Sequence, residues 1–263
     1  MNGFENLKVR SEGFVLHVSL DRPDKHNALN DALIGELRDC FEELVADDTI
    51  RAVVLSGEGR SFCAGADIGY MRDTAEFSYE ENLEDARRLG AMFRAVDECP
   101  KPVVAAVRGA AIGGGAGLVA AADVAVAEEG TIFAFSEVRL GIAPATIAPF
   151  VVRKIGPSHV RRLFLTGERF ETGEARELGL VHEAVEEGGL EAAAGEKVDA
   201  LLQGGPAAQA EIKRLLRRIE FAEPPEVLEE MSTLISELRT GPEGQEGLGA
   251  FVEKREPGWR EEL

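Results

Sequence analysis

Runs of β-branched and small apolar residues recur in the first half of the chain and restrict the folds that it can adopt. They are Phe14–Leu20, Ala52–Ser56, Val103–Val107 and Asp123–Ala127. Their apolar residues stand at consecutive positions, as in parallel strands that helices cover on both faces. The segment Asn30–Ala46 instead repeats its apolar residues every three or four positions, which predicts an amphipathic helix. This alternation of strands and helices predicts an α/β fold.

The second half of the chain is mostly helical by the same criteria, and only Leu180–Val185 has the pattern of a further strand. Helices are predicted over Arg161–Leu165, Thr172–Leu178, Leu190–Leu202, Pro206–Ile219, Pro224–Leu238 and Gln245–Lys254. Thr172 is a predicted N-cap, and Gly179 follows the end of the same helix. Because a Gly-Gly-Pro sequence interrupts the pattern at 204–206, we divide the chain into a core, residues 1–200, and a C-terminal helical region, residues 201–263, within one functional unit.

The chain is strongly acidic, with 29 Lys and Arg against 48 Asp and Glu and a formal net charge of −19. Such a surface repels nucleic acid phosphates and anionic lipid headgroups, so neither is an expected partner. The three cysteines, Cys40, Cys63 and Cys99, form no C-x-x-C pair and predict neither a disulfide framework nor a zinc site. The N-terminus lacks an apolar signal core and no apolar run reaches membrane-spanning length, which predicts a cytoplasmic protein.

Two predicted strands each run into a turn of small residues that a predicted helix follows. In the first turn, the residues from Cys63 to Ala66 precede Asp67, a residue type that favours helix N-caps. In the second turn, the glycine run at 113–115 starts the helix. Each turn alone is also what an ordinary, closely packed strand-to-helix connection would contain. Together they offer two free N–H groups, and an oxyanion hole for a thioester needs two such donors about 2.7–3.1 Å from one oxygen.

Glu137 is the strongest acid–base candidate, because it lies in an apolar stretch at 133–144 without another acidic residue beside it. Burial in such a stretch would raise its pKa towards the range that is useful for proton transfer. Arg139 stands two residues away, and an ion pair between the two side chains is the competing interpretation. None of the four histidines lies in a nucleophile elbow or at metal-ligand spacing.

Together, these segments resemble the crotonase superfamily, which comprises the enoyl-CoA hydratases and isomerases. The resemblance rests on SFCAGADI (61–68), VRGAAIGGGAG (107–117) and FAFSEVRLGIAP (133–144), and it extends to LDRPDKHNALN (20–30), LTGERFETGEARELGLVHEAV (165–185) and AFVEKREP (250–257). It implies a spiral core of ββα turns, a C-terminal helical region for trimerisation, and homotrimers or hexamers. It also implies an acyl-CoA substrate, of which coenzyme A is a part, and no separate cofactor or metal.

The resemblance also assigns roles to individual residues. It places the oxyanion hole at the N–H groups of Ala66 and Gly114 and the acid–base carboxylate at Glu137. The residues expected to line the substrate and CoA site are Lys25, Ala28, Ala64, Asp67, Ile68, Gly113 and Gly117. Phe251 and Lys254 are expected to reach the CoA of a neighbouring subunit. Because CoA is a polyanion, the two lysines would supply local positive charge on an acidic protein.

One position departs from the family pattern. Hydratases of this superfamily commonly use two glutamates, and the first of them corresponds to Gly117 in this chain. A single glutamate is compatible with hydration or with isomerisation of an enoyl-CoA. The segment at 135–156 resembles the branch that hydrates 3-methylglutaconyl-CoA and its isoprenoid relatives in leucine and terpene breakdown. We therefore predict an enoyl-CoA hydratase of the 3-methylglutaconyl-CoA type. The alternative is an enoyl-CoA isomerase or another single-glutamate crotonase, and a non-catalytic acyl-CoA- or RNA-binding protein is a third interpretation.

Overall fold

The structure is a computed structural model, and it describes residues 3–45, 47–219, 233–235 and 237–261. Its strands are β1 (Leu7–Glu12), β2 (Val15–Leu20), β3 (Ala52–Gly57), β4 (Val103–Val107), β5 (Ala110–Ile112), β6 (Val124–Glu128), β7 (Ile132–Ala134), β8 (Arg169–Glu171) and β9 (Glu183–Val185). Its helices are α1 (Asp31–Val45), α2 (Ile68–Ala75), α3 (Tyr79–Glu98), α4 (Gly114–Ala121), α5 (Ala148–Thr166), α6 (Thr172–Glu177), α7 (Leu190–Leu202) and α8 (Pro206–Ile219), followed by the C-terminal helices Pro242–Glu253 and Gly258–Glu261. Two short 3-10 helices span Pro23–Lys25 and Glu137–Leu140.

Two sheets organise the core. The larger sheet has the order β1-β2-β3-β4-β6-β9, and all neighbouring strands in it are parallel except β1 and β2. The smaller sheet has the order β5-β7-β8, with β5 parallel to β7 and β7 antiparallel to β8. The chain passes from β4 through β5 into α4, and again from β6 through β7 towards α5, so a strand–strand–helix unit repeats. This arrangement confirms the predicted α/β fold with a ββα spiral core.

Helices cover both faces of the larger sheet, which explains why its strands are apolar at consecutive positions. On one face, Val53 and Leu55 of β3 belong to a cluster that also contains buried side chains of α1, α3 and α4. On the other face, Val54 and Val104 pack with α7 in a second cluster. Each such side chain contributes about 1.5–3 kcal/mol when it is fully buried. A strand with this pattern therefore has no face that favours water.

Several predicted helices agree with the structure. Leu190–Leu202 and Pro206–Ile219 coincide with α7 and α8. The predicted helix Asn30–Ala46 corresponds to α1, and the Asn30 side chain caps it by accepting a hydrogen bond from the Leu33 N–H at 3.0 Å. The predicted helix Arg161–Leu165 is part of the longer α5. Most of the predicted helix Pro224–Leu238 falls outside the described residues.

Two details of the sequence-based prediction were wrong. A strand besides Leu180–Val185 does follow Phe135, because β8 pairs antiparallel with β7. Thr172 is not an N-cap, since Glu171 occupies that position in α6. The Thr172 hydroxyl instead donates to the Glu128 carbonyl at 2.6 Å and ties α6 to the end of β6.

Buried polar contacts hold the C-terminal region on the core. The Arg51 guanidinium, at the start of β3, donates to the carbonyls of Leu202 at 3.0 Å, Gly204 at 2.6 Å and Trp259 at 2.7 Å. A second link is the ion pair of 2.6 Å between Lys213 and Asp123. The three cysteines are buried and free. None of the helices in the described part of the chain has both the length and the apolar character needed to cross a bilayer.

Candidate active site

The first small-residue turn is anchored on two sides. Cys63 donates its N–H to the Ala110 carbonyl at 2.9 Å and accepts from the Ile112 N–H at 3.0 Å, which fixes the turn against β5. On the other side, the Leu29 N–H donates to the Gly65 carbonyl at 2.7 Å. Gly65 has a φ of +97°, a backbone conformation that is unfavourable for residues other than glycine. Ala66 follows it at an exposed position, and its N–H has no acceptor among the described residues.

The second turn presents another N–H group beside the first. Gly113 has a φ of +51° and donates its N–H to the Ala134 carbonyl at 2.8 Å, which turns the chain into α4. Gly114 is the first residue of α4, so its N–H has no partner within the helix. A Cβ on Gly115 would lie only 2.3 Å from the Cys63 carbonyl oxygen. Glycine at this position therefore allows the first turn of α4 to lie directly against the first small-residue turn.

The Glu137 carboxylate lies next to this pair of turns. A Cβ added to Gly113 would be 2.9 Å from Glu137 Oε1, so glycine also makes room for the acid. Burial raises the pKa of Glu137, and its Oε2 is buried without a hydrogen-bond partner in the described residues. The competing ion pair with Arg139 does not form, since the Arg139 side chain lies instead beside Gly167 and does not contribute to the pKa of Glu137. A carboxyl group in this state is suited to exchange a proton with a ligand.

A single cavity of about 440 Å³ brings these groups together. The predicted site residues that line it are Ala64, Ala66, Gly113, Gly114 and Glu137. Apolar side chains, among them Leu29, Leu89 and Ile147, form much of its remaining wall. A wider groove of about 770 Å³ runs between β1, β2 and α7, but no predicted site residue is among the described residues that line it.

Comparison with known proteins identifies the family of this chain. The family model described as enoyl-CoA hydratase/isomerase matches residues 10–262. The chain belongs to the enoyl-CoA hydratase/isomerase family. A solved enoyl-CoA hydratase from Shewanella pealeana is similar to it, with a TM-score of 0.94 and 39% identity over 97% of this chain and 96% of that one. AtuE from Pseudomonas aeruginosa has a TM-score of 0.93 and 39% identity over 97% of this chain and 99% of its own. Enoyl-CoA hydratase ACTT6 of Alternaria alternata is 35% identical over 222 residues, which are 84% of this chain and 72% of that protein.

Most of the remaining residues that the family resemblance assigns to CoA lie around the first turn. Ala64 donates its N–H to the His26 carbonyl at 3.0 Å, and this contact joins the turn to the segment that contains Lys25 and Ala28. Lys25 is exposed at the end of a 3-10 helix, whereas Ala28 is buried. Ile68 is 77% exposed at the start of α2. The structure therefore places these residues in segments that adjoin the first turn, and their contact with CoA stays a prediction.

Asp67 uses its carboxylate within the protein. One oxygen accepts from the Gly69 N–H at 2.8 Å, which confirms Asp67 as the N-cap of α2, and the other accepts from Arg22 at 2.9 Å. The hydrogen bond from Arg22 lowers the pKa of Asp67. A ligand would therefore have to contact the Asp67 main chain or displace Arg22, a residue that the sequence-based prediction did not include.

The structure does not support the prediction that Gly117 lines the substrate site. This residue does not line the cavity but lies buried inside α4, where an added Cβ would be 2.4 Å from Ile147 Cγ2 and 3.1 Å from Phe93 Cε1. Two apolar side chains thus occupy the space beside the position to which the family resemblance assigns the first glutamate. Asp123 does not replace it, since its carboxylate accepts from the Val103 N–H at 2.7 Å and from Lys213 at 2.6 Å.

Phe251 and Lys254 lie apart from the cavity. Phe251 is 83% exposed on the helix Pro242–Glu253, and Lys254 ends this helix in a left-handed conformation with a φ of +56°. Neither residue is among those that line the cavity. An exposed aromatic side chain is compatible with an intersubunit contact, and the predicted role of both residues at a neighbouring CoA stays a prediction.

The sequence-based prediction missed a polar pair in the cavity wall. Tyr70 of α2 donates its hydroxyl to Asp85 Oδ2 of α3 at 2.5 Å, and both residues line the cavity together with Asn82. Ala66 precedes Asp67, the N-cap of α2, so helical spacing does not relate it to Tyr70. Nothing in the local sequence therefore singled out Tyr70 or connected it to Asp85. No group of three or more His, Cys, Asp or Glu side chains in the described ranges is arranged to hold a metal.

Proposed function

We propose that this chain is an enoyl-CoA hydratase that uses Ala66 and Gly114 as its oxyanion hole and Glu137 as its only acid–base residue. One observation carries this proposal. Two main-chain N–H groups without acceptors in the described residues and a partly buried carboxyl group line the same cavity. The family to which the chain belongs makes a CoA thioester the expected ligand.

The two N–H groups would bind the carbonyl oxygen of the thioester. Nucleophilic attack at Cβ of an enoyl thioester moves negative charge onto that oxygen and produces an enolate. Donors that are already oriented stabilise this charge without further reorganisation, and one such donor is worth about 2.7–4 kcal/mol in known oxyanion holes. Because Gly114 opens α4, the helix N-terminus adds a favourable electrostatic contribution there.

Glu137 would move both protons of the reaction. In its ionised form it takes a proton from water while the water oxygen bonds to Cβ. The resulting carboxylic acid then delivers a proton to Cα of the enolate, which restores the carboxylate and completes the addition of water. The raised pKa of Glu137 makes its carboxylate a stronger base than an exposed glutamate.

The packing at Gly117 favours a second candidate, an enoyl-CoA isomerase. Ile147 and Phe93 fill the space beside position 117, so no second carboxylate is available there to hold the attacking water. A single carboxylate is sufficient to remove a proton from Cγ and return one to Cα, or the reverse, through the same stabilised enolate. An isomerase would therefore use both N–H groups and the Glu137 carboxylate, and it would require no bound water.

The acyl group is a separate question. The sequence of residues 135–156 favours a 3-methylglutaconyl-type substrate, which carries its own carboxylate. The charged side chains among the described residues that line the cavity are Glu137 and Asp85, with no lysine or arginine. The carboxylate of so short an acyl group would lie near Glu137 rather than Asp85, and like charges at short range in a partly buried site repel each other by several kcal/mol. We therefore rank a neutral enoyl chain first and keep the glutaconyl type as the hypothesis that the sequence pattern supports.

Ultraviolet absorbance of the enoyl thioester distinguishes these functions. Hydration removes the conjugated double bond, so absorbance should fall with crotonyl-CoA or a longer 2-enoyl-CoA. Rising absorbance with a 3-enoyl-CoA alone would refute the hydratase in favour of the isomerase. Efficient turnover of 3-methylglutaconyl-CoA with little activity on neutral chains would reverse our ranking of acyl groups. A protein that binds acyl-CoA without changing absorbance on any of them would be a binding protein.

A further inference from the structure

The pair formed by Tyr70 and Asp85 lines the same cavity, and the course of α3 gives its distance from Gly114. Phe93, Leu89 and Asp85 follow one another at intervals of four residues and therefore lie along one face of α3. Phe93 marks the end near the N–H groups, because its Cζ is 3.6 Å from the position of a Cβ on Gly114. Eight residues of helix separate the Cα atoms of Phe93 and Asp85 by about 12 Å.

This distance determines which part of a substrate would reach the pair. Carbon–carbon bonds are about 1.5 Å long, and each advances an extended zigzag chain by somewhat less than that. An acyl chain of about eight to ten carbons therefore spans the roughly 12 Å between Phe93 and Asp85. This placement rests on the proposed function, which puts the thioester at Ala66 and Gly114. A crotonyl group would end well before Tyr70, whereas the last carbons of a medium-length acyl chain would lie against it.

The polar side chains around the Tyr70–Asp85 pair already use their hydrogen-bond donors within the protein. Tyr70 donates to Asp85, and the Asn82 amide nitrogen donates to the carbonyls of Phe77 at 3.1 Å and Ser78 at 3.2 Å. The Thr74 hydroxyl donates to the Met71 carbonyl at 3.2 Å. What remains free on these side chains is oxygen lone pairs, so a ligand meets acceptors only.

A third contact fixes the charge of the pair. Asp85 Oδ1 accepts from Arg88 at 3.0 Å, and Arg88 also pairs with Asp31 at 2.6 Å outside the cavity lining. Arg88 therefore keeps the Asp85 carboxylate in place without offering a donor to the ligand. Burial raises the pKa of Tyr70, so its hydroxyl keeps its proton and continues to donate to Asp85.

We propose that the Tyr70–Asp85 pair selects medium-length acyl chains whose distal end carries a neutral hydrogen-bond donor, such as a hydroxyl group. A hydroxyl at that position would donate to the Tyr70 or Asp85 oxygen, an interaction that a plain alkyl chain cannot make. A distal carboxylate has no hydrogen to donate at neutral pH and would meet the negative charge of Asp85. The pair is thus a specificity determinant that is separate from the acid–base chemistry at Glu137.

Binding and turnover are measured separately, so that this proposal and the hydratase proposal can fail independently. Calorimetry gives the affinities of octanoyl-CoA, its ω-hydroxy derivative and its ω-carboxylate, which bind without undergoing hydration. Kinetic constants are obtained on the matching 2-enoyl thioesters and on crotonyl-CoA. For the wild type we expect the ω-hydroxy chain to bind about 3- to 10-fold more tightly than the alkyl chain. The ω-carboxylate should bind at least about tenfold more weakly than the alkyl chain.

Three variants test the residues themselves. Tyr70→Phe should remove most of the preference for the ω-hydroxy chain over the alkyl chain. Asp85→Asn should reduce the discrimination against the ω-carboxylate by about tenfold, because it removes the charge. Tyr79→Phe is the matched control, since it removes a hydroxyl at a position that is 76% exposed and outside the cavity, and all ratios should stay at wild-type values.

The outcomes have distinct meanings. An ω-carboxylate that binds as tightly as the alkyl chain, or identical ratios in Tyr70→Phe and Tyr79→Phe, would overturn the role of the pair. If Tyr70→Phe does not fold, Asp85→Asn alone decides the question. Correct binding preferences without turnover of any enoyl thioester would refute the hydratase and leave the specificity intact. Turnover of an enoyl thioester without these binding preferences would refute the specificity of the Tyr70–Asp85 pair and leave the hydratase proposal intact.

Discussion

Replacing Gly117 by alanine tests why this chain has no glutamate at that position. The added Cβ would lie 2.4 Å from Ile147 Cγ2, 3.0 Å from Ile147 Cβ and 3.1 Å from Phe93 Cε1. Phe93 is fully buried and Ile147 is 2% exposed, so an added methyl group would push Phe93 into its packed neighbours or Ile147 towards the cavity that it lines. Overpacking of this kind costs about 1–3 kcal/mol, whereas alanine regains about 1 kcal/mol of helix propensity over glycine.

We therefore expect Gly117→Ala to lower the free energy of unfolding by up to about 2 kcal/mol. For a chain of this size each kcal/mol corresponds to a decrease in Tm of about 2–4 °C. Gly90→Ala is the matched control, because Gly90 lies inside α3 and an added Cβ would meet no heavy atom within 4 Å. It should raise the stability by about 0.5–1 kcal/mol through helix propensity alone.

Thermal unfolding followed by circular dichroism measures both variants, at one protein concentration because self-association would shift the Tm. A double-mutant cycle with Ile147→Ala locates the cause, since removal of Cγ2 should make the alanine at 117 less costly. If Gly117→Ala raises the Tm as Gly90→Ala does, position 117 has room and packing does not account for the missing glutamate. Gly117→Glu should be worse than alanine, because its carboxylate would be buried among apolar atoms without a partner.

Three further predictions concern the site and its rim. Glu137→Gln should lower kcat by at least about 10²-fold, and near-wild-type activity in a stopped-flow assay would remove Glu137 from the mechanism. Because burial raises the pKa of Glu137, the wild-type rate should fall as the pH decreases through a value above that of an exposed glutamate, a dependence that Glu137→Gln should lack. Asp67→Ala should cost about 1 kcal/mol in urea unfolding through loss of the N-cap. Since Arg22 lowers the pKa of Asp67, this stabilisation is fully present above the ordinary aspartate pKa and is lost as the pH falls through the lowered one, so wild type and variant should converge in acid. Lys254→Glu should raise KM for acyl-CoA more than it lowers kcat, and the opposite split would exclude Lys254 from CoA binding.

The sequence predicted the elements whose signal is local and strong. The run at Val103–Val107 and the helix Leu190–Leu202 agree with β4 and α7 because a strand that is covered on both faces and an amphipathic helix each leave a pattern in every residue. The strand Arg169–Glu171 has three residues, of which two are charged, and it owes its conformation to pairing with β7. Such a strand has no signal in its own sequence, because its partner lies more than thirty residues away.

The candidate site divides in the same way. The two turns and the isolated acid Glu137 were predicted from the sequence pattern, and the family resemblance selected Ala66 and Gly114 within the turns. The structure places all three residues around one cavity. The contact between Tyr70 and Asp85 depends on how α2 packs against α3, and no spacing rule links residues fifteen positions apart on two helices. The packing at Gly117 could not be predicted from the sequence either, because Phe93 of α3 and Ile147, the residue before α5, meet there only in the folded chain.

The proposed oxyanion donors belong to the main chain, so most amino-acid substitutions at their positions leave them in place. Any residue except proline at positions 66 and 114 keeps its N–H group, so point mutation rarely removes these donors. Their positions are fixed by hydrogen bonds of Gly65 and Gly113 to other main-chain atoms. Under the proposed mechanism, a lineage can therefore gain or lose individual carboxylates without rebuilding the stabilisation of the enolate. The packing at position 117 fits this view, because Ile147 and Phe93 lie beside Gly117 while the two small-residue turns keep their main-chain hydrogen bonds.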